Sequence, residues 1–173
     1  MARPAVARFG SAGHLVRRFV GMLDPRGPAP VDDTWAQSHL VDGERALWNR
    51  MSGPDRRHAI GVARRTVAMI GSPTPRPVIA AALLHDVGKV EAGLGAVGRA
   101  VATLAGMVSP ARAADGDGRI ARYLTHDRRG AGSLEAAGAD PLTVAWAAEH
   151  HRPPAGWTVP TDVANALKAA DDD

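Results

Sequence analysis

Between Pro77 and Val90 the chain reads PVIAAALLHDVGKV, apolar on every side of a helix apart from His85 and Asp86. A helix that is hydrophobic all round is buried all round. This segment, opened by a proline in its first turn, must therefore be the central element, with the rest of the chain packed about it. A buried carboxylate without a partner costs several kcal/mol. The same stretch therefore calls for something that compensates Asp86.

What can wrap such a helix is limited by the side chains at hand. Hydrophobic residues make up 45% of the 173, but aromatics only 4%, so Ala, Val and Leu supply the packing. Side chains that small favour closely approaching helices over a wide β-sandwich. No run alternates apolar and polar residues as a strand would, and no internal repeat stands out. The expectation is an all-α bundle forming one domain. Its first helix spans 32–51, with Trp35, Leu40, Leu47 and Met51 on one side and Gly43 as a weak point. The second runs to Ile70 from the [ST]-x-x-[DE] capping signature SGPD at 52–55. The third begins around Pro77 and holds His85 and Asp86, the fourth covers 91–108, and 109–118 is a loop. Residues 119–139 carry no clear pattern. Asp140 caps a helix that reaches His151, RPPAGWTVP is a loop, and Thr161 caps a last helix to the C-terminus.

Residues 1–30 read as an appendage to a domain at 31–173. Within it, FGSAGHLVRRFVGML (9–23) fits a short basic amphipathic helix that DPRGPAP then breaks. A membrane surface could attract such a helix; packing on its own domain is the expectation. Arg3, Arg8, Arg17, Arg18 and Arg26 against Asp24 give this arm +4 of the net +3, leaving the body at −1. A near-neutral body does not suggest a nucleic-acid polymer as partner. No apolar run approaches the roughly 20 residues of a membrane span, and the N-terminus lacks the apolar core of a signal peptide. With no cysteine, disulfides and thiolate metal sites are excluded, and a cytoplasmic protein is expected.

The compensation for Asp86 can be sought among seven histidines. His58 shares a face with Val62, Thr66 and Met69 at near-helical spacing. His85 and Asp86 are about 100° apart around one axis, so both can aim into one cleft. His150 and His151 repeat that arrangement at the end of VAWAAEHH. Asp171 follows Val163 and Leu167 at spacings of four and continues their inward stripe, while Asp172 and Asp173 turn off it. An aspartate at a helix C-terminus opposes the macrodipole by up to about 1 kcal/mol, and a cation would offset that. His14 and His39 read as structural. Imidazoles and carboxylates without thiolates suit Mn, Fe, Ni, Co or Zn better than Mg alone. Seven ligands exceed the needs of one tetrahedral ion and suit two divalent ions bridged by Asp86. Paired ions are suited to hydrolysing phosphate esters.

RRH (56–58), LLHDVGK (83–89), THD (125–127), EHHRPP (149–154) and KAAD (168–171) resemble the HD-domain superfamily of metal-dependent phosphohydrolases. The order of ligands looks most like its bimetallic branch, which includes the HD-GYP cyclic dinucleotide phosphodiesterases. The resemblance covers roughly residues 45–173. It implies a helical bundle with the metal site in its core. His58, His85, Asp86 and Asp171 match the minimal ligand set; His126, His150 and His151 match the additional ligands of the bimetallic branch. Lys89 matches a lysine that faces substrate phosphate, and Asp86 the residue that bridges the metals and orients the attacking hydroxide. The implied substrate is a phosphomonoester or phosphodiester, such as a nucleotide. Arg57, Arg129 and Arg152 lie near enough in sequence to be suspected as phosphate contacts. HHRPPAGW stands where HD-GYP proteins carry an acidic residue and a Gly-Tyr-Pro element, so the resemblance does not extend to cyclic di-GMP. Two other functions compete: a di-iron oxygenase, known among HD-type relatives, and a non-catalytic HD-like signalling module.

Overall fold

The structure is a computed structural model, and it describes residues 24–108 and 117–172. The 9–23 segment, His14, Asp173 and most of the 109–118 loop lie outside the described residues. Every regular element among the described residues is helical, so the fold is an all-α bundle. No helix among them is long and apolar enough to cross a membrane.

In chain order the α-helices are α1 (Pro30–Ser38), α2 (Asp42–Arg50), α3 (Gly53–Ile70), α4 (Arg76–Leu84), α5 (Ala96–Val108), α6 (Arg119–Leu124), α7 (His126–Ala136), α8 (Pro141–Glu149) and α9 (Thr161–Asp172). Short 3-10 turns occupy Val87–Ala92 and Pro154–Gly156. Helix α4 is the centre, with every residue from Val78 to Leu84 buried. It packs between α3 and α8; α9 lies along α3, and α7 along α8. Leu83 and Leu84 of α4 are fully buried, as are Leu134, Leu167, Trp48 and Trp146 in the helices of the same core. Each such leucine contributes roughly 1.5–3 kcal/mol by leaving water.

Several expected helices are interrupted, each for a local reason. The 32–51 segment breaks at His39–Val41. His39 Nδ1 turns back to the Trp35 carbonyl at 2.8 Å, and Glu44 accepts from the Val41 amide at 2.9 Å to start α2 afresh. Gly43 is no weak point, because a Cβ there would sit 2.1 Å from the Ala137 carbonyl oxygen. The 91–108 segment is likewise two elements. A 3-10 turn ends at Ala92, Gly93 takes φ 57°, and α5 begins only at Ala96. The unpatterned 119–139 stretch holds α6 and α7, separated by Thr125. Met69 does not continue the inward stripe of α3; it is 51% exposed, while Val62 and Thr66 are buried.

Helix α3 starts where the capping signature places it, with Ser52 Oγ accepting from the Asp55 amide at 3.3 Å. The Asp55 side chain does not close a reciprocal box. It accepts instead from Arg99 of α5, which grips both its oxygens, and the pair is buried.

Candidate metal centre

Helix α4 stops at Leu84, one residue short of the His85–Asp86 pair. The pair is therefore not mid-helix, as the apolar run suggested, but sits in the turn before the 3-10 segment. Helix α8 likewise stops at Glu149, so His150 and His151 occupy a turn rather than its last residues. The reason is the same in both places. The last carbonyls of a helix have no intrahelical partner. Here a ring nitrogen takes one: His85 Nδ1 donates to the Ala82 carbonyl at 2.9 Å, and His150 Nδ1 to the Ala147 carbonyl at 3.0 Å. His126, the first residue of α7, donates from Nδ1 to the Tyr123 carbonyl of α6 at 2.7 Å.

A carbonyl oxygen can only accept, so each of these rings carries its proton on Nδ1. Nε2 of each ring is then left to face inward. All three converge on Asp86. His126 Nε2 lies 3.2 Å and His150 Nε2 3.7 Å from Asp86 Oδ1, and His85 Nε2 lies 3.4 Å from Oδ2. Neither approach to Oδ1 is a hydrogen bond, and His85 Nε2, His150 Nε2 and Asp86 Oδ1 are all buried polar atoms without a partner. Acceptors gathered face to face cost energy unless a proton or a metal ion lies between them.

Ligand atoms within 4.8 Å of one another form two groups: His58, His85 and Asp86, and Asp86, His126, His150 and His151. Asp86 belongs to both. Asp171 joins the first, its Oδ1 lying 3.0 Å from His58 Nε2 and 3.6 Å from His85 Nε2. The inward stripe of α9 is as expected, with Leu167 and Asp171 buried and Asp172 exposed beside Lys168. His151 closes the second group from the exposed side, its Nε2 3.2 Å from His126 Nε2. Thus the structure brings together all seven candidate ligands. It places His39 outside both groups, against the Trp35 ring.

Electrostatics sets the two groups apart. Burial disfavours a charge on His85, but Asp86 and Asp171 more than offset it and raise its pKa to about 10. A proton on His85 can thus serve the first group. The second has no such remedy at His150, where burial pushes the imidazole down despite Asp86. Burial opposes ionisation of Asp86 and Asp171 as well. Lys89 and His85 nonetheless hold Asp86 well below the usual carboxylate range, and His85 and His58 do the same for Asp171. Both carboxylates are therefore anionic acceptors at neutral pH. A divalent ion satisfies these lone pairs at once, and imidazole nitrogens oriented by backbone carbonyls are how metal-binding histidines are held.

The remaining expected residues are engaged as follows. The Lys89 ammonium pairs with Asp86 Oδ2. Arg57 donates to the Asp24 carbonyl at 2.8 Å, and Arg129 to Asp117 at 2.7 Å. Arg152 is exposed on the loop after His151.

Other residues shape the centre without a signal of their own in the sequence. A Cβ on Gly88 would lie 2.0 Å from the His126 carbonyl oxygen and 2.7 Å from the Gly130 amide nitrogen. The two glycines let the 3-10 turn and α7 touch backbone to backbone, which brings Asp86 to His126. Glu149, buried, accepts from the Thr158 amide at 2.7 Å and its hydroxyl at 2.8 Å, pinning the loop that follows the histidine pair. Gly88 falls inside HDVGK and could have been suspected. Gly130 and Glu149 make contacts that are distant or across a loop, which no spacing reveals. Comparisons with protein-family profiles, with curated proteins and with solved structures found no match.

Proposed function

We propose that this chain is a metal-dependent phosphohydrolase of the HD-domain type, cleaving a phosphomonoester or phosphodiester of a nucleotide or similar small molecule. The observation that carries the reading is the set of buried polar atoms, His85 Nε2, His150 Nε2 and Asp86 Oδ1, that the chain leaves without a hydrogen-bond partner in the core. Their chemistry fits one or two divalent ions of Mn, Fe, Ni, Co or Zn, held by His58, His85, Asp86 and Asp171 and by Asp86, His126, His150 and His151. Such ions, when bound, would polarise phosphate oxygens and acidify a water.

The side chains supply the rest. Asp86 serves both groups and is kept anionic by Lys89. Half-buried Lys89 offers its ammonium to a phosphate entering beside Asp86. The buried apolar stretch of α4 from Val78 to Leu84 keeps water away from the inner face, so substrate enters on the side of exposed His151 and half-buried His58.

The test begins with metal-stripped protein reloaded separately with Mn, Fe, Ni, Co or Zn and screened against phosphomonoesters and phosphodiesters, with and without O2. The expected result is phosphate release with at least one metal, independent of O2 and absent in Asp86→Ala. Stoichiometric metal without turnover of any ester, or turnover only with O2, would overturn the proposal.

A further inference from the structure

The three imidazoles that face Asp86 are each fixed by a backbone carbonyl three residues earlier. Asp171 has a less secure place. It stands in the last turn of α9, which ends at Asp172. Helix ends fray, and their last four carbonyls have no partner inside the helix. A carboxylate that meets His58 at 3.0 Å and His85 at 3.6 Å needs a fixed turn beneath it.

Arg65 supplies the fixing. Its Nε donates at 2.9 Å to the carbonyl of Ala170, the residue immediately before Asp171. Arg65 lies on α3, the helix along which α9 packs. It follows His58 by two turns, about 10 Å along the axis. Side chains on a helix lean toward its N-terminus, so the half-buried Arg65 reaches back in the direction of His58. Gly61, one turn before Arg65, leaves room for this: a Cβ there would lie 3.2 Å from Arg65 Nη1. A glycine inside a helix is unfavourable against alanine, and here the guanidinium takes up the space it leaves. A cation at the last carbonyls of α9 also suits the macrodipole that Asp171 opposes. Helix α3 thus holds the end of α9 twice, by its backbone through Arg65 and by its carboxylate through His58.

We infer that Arg65 is a positioning residue of the metal centre, fixing the α9 backbone so that Asp171 meets His58 and His85 as a metal ligand. The inference rests on the metal centre of the proposed function, not on the reaction assigned to it. Arg65 acts through the peptide of Ala170.

The test is a titration of the metal-stripped full chain with Mn, Fe, Ni, Co and Zn in turn. Arg65→Met keeps the aliphatic stem and removes the donor. It should weaken binding of one ion about tenfold, as loss of a supporting contact does, with helix content unchanged by circular dichroism. Gly61→Leu keeps the arginine but fills the space of its guanidinium, and should reproduce that loss. In the Asp171→Ala background Arg65→Met should change nothing further, since the ligand through which it acts is gone. Without metal, the last-turn amides of α9 should exchange faster in Arg65→Met than in the native chain. Native affinity in both single variants overturns the inference. So does an equal further loss in the Asp171→Ala background, which would mark Arg65 as serving the fold at large. A native chain that takes up none of the ions overturns the metal centre and this inference with it. Binding that depends on Arg65 in this way, without hydrolysis of any ester, supports the inference and overturns only the phosphohydrolase reading.

Discussion

Two buried sets of charges lie one helical turn apart, and they are built in opposite ways. At Asp55 every oxygen is answered. Arg99 grips both, the Nη2 to Oδ2 distance being 2.7 Å, Ser52 Oγ donates to Oδ2 at 2.6 Å, and Arg99 Nε donates to the Leu94 carbonyl at 3.0 Å. Three residues further along α3 stands His58, the first member of the other set. There carboxylates and imidazoles face one another, and buried polar atoms remain without a hydrogen-bond partner. The first set is complete with the chain's own atoms and serves to hold α5 against α3. The second keeps buried polar atoms that a cation from outside could satisfy. A buried charge cluster signals function not by being buried or charged, but by what remains unsatisfied after the chain has supplied all it can.

The contrast can be broken most severely at the ion pair. Arg99→Met should cost about 3–5 kcal/mol, read as a lowered urea midpoint, because it strands a buried carboxylate. Asp55→Leu combined with Arg99→Met should recover most of that loss; a double variant no better than the single would mean that packing, not charge, is at work. The same pair sets an acid limit. Burial opposes ionisation of Asp55, but Arg99 lowers its pKa below the ordinary 3.8. The stability it contributes is therefore fully present above pH about 3.8 and is lost as the pH falls through the lower folded value. Acid unfolding curves should show that loss in the native chain and not in the double variant.

The opposite outcome is expected in the other set. Asp86→Ala should weaken metal binding by more than about 100-fold, beyond what loss of a supporting contact does, measured by metal analysis after dialysis. Yet the metal-free variant should melt only slightly below the metal-free native protein, since loss of the Lys89 pair at Oδ2 is offset by removal of the unsatisfied acceptor Oδ1. A large drop in the melting temperature of the metal-free form would remove the distinction between the sets.

Gly88→Ala sharpens the comparison from outside the ligands. Its methyl would strike the His126 carbonyl, costing about 1–3 kcal/mol and reducing metal affinity while leaving Asp55 and Arg99 untouched. Native affinity in this variant would show that the backbone contact does not place His126. The smallest effect is at Ser52→Ala, about 1 kcal/mol of thermal stability from the lost cap, with metal content unchanged.

How far the chain itself revealed all this depended on the range of each interaction. The central helix, the capped start of α3 and the inward turn of Asp171 follow from periodicity and capping, which act over one or two turns. The breaks at His39–Val41 and after Leu84 do not, because each depends on a side chain bonding back to a carbonyl in competition with the helix. The candidate ligands were recognisable as residue types in order. What could not be read was the tautomer of each ring, set by the carbonyl three residues earlier, or the role of Gly130, set by a contact with Gly88 more than forty positions away.

That glycine contact has a consequence for how the core tolerates change. Most distances in a protein interior are transmitted through packed side chains, and they drift when a neighbour is enlarged or trimmed. The spacing between the Asp86 turn and the His126 helix is instead set by the thickness of two peptide groups in van der Waals contact, which substitutions elsewhere cannot alter. The aliphatic side chains of α4 and α8 lie outside that contact, so their size does not enter this one separation.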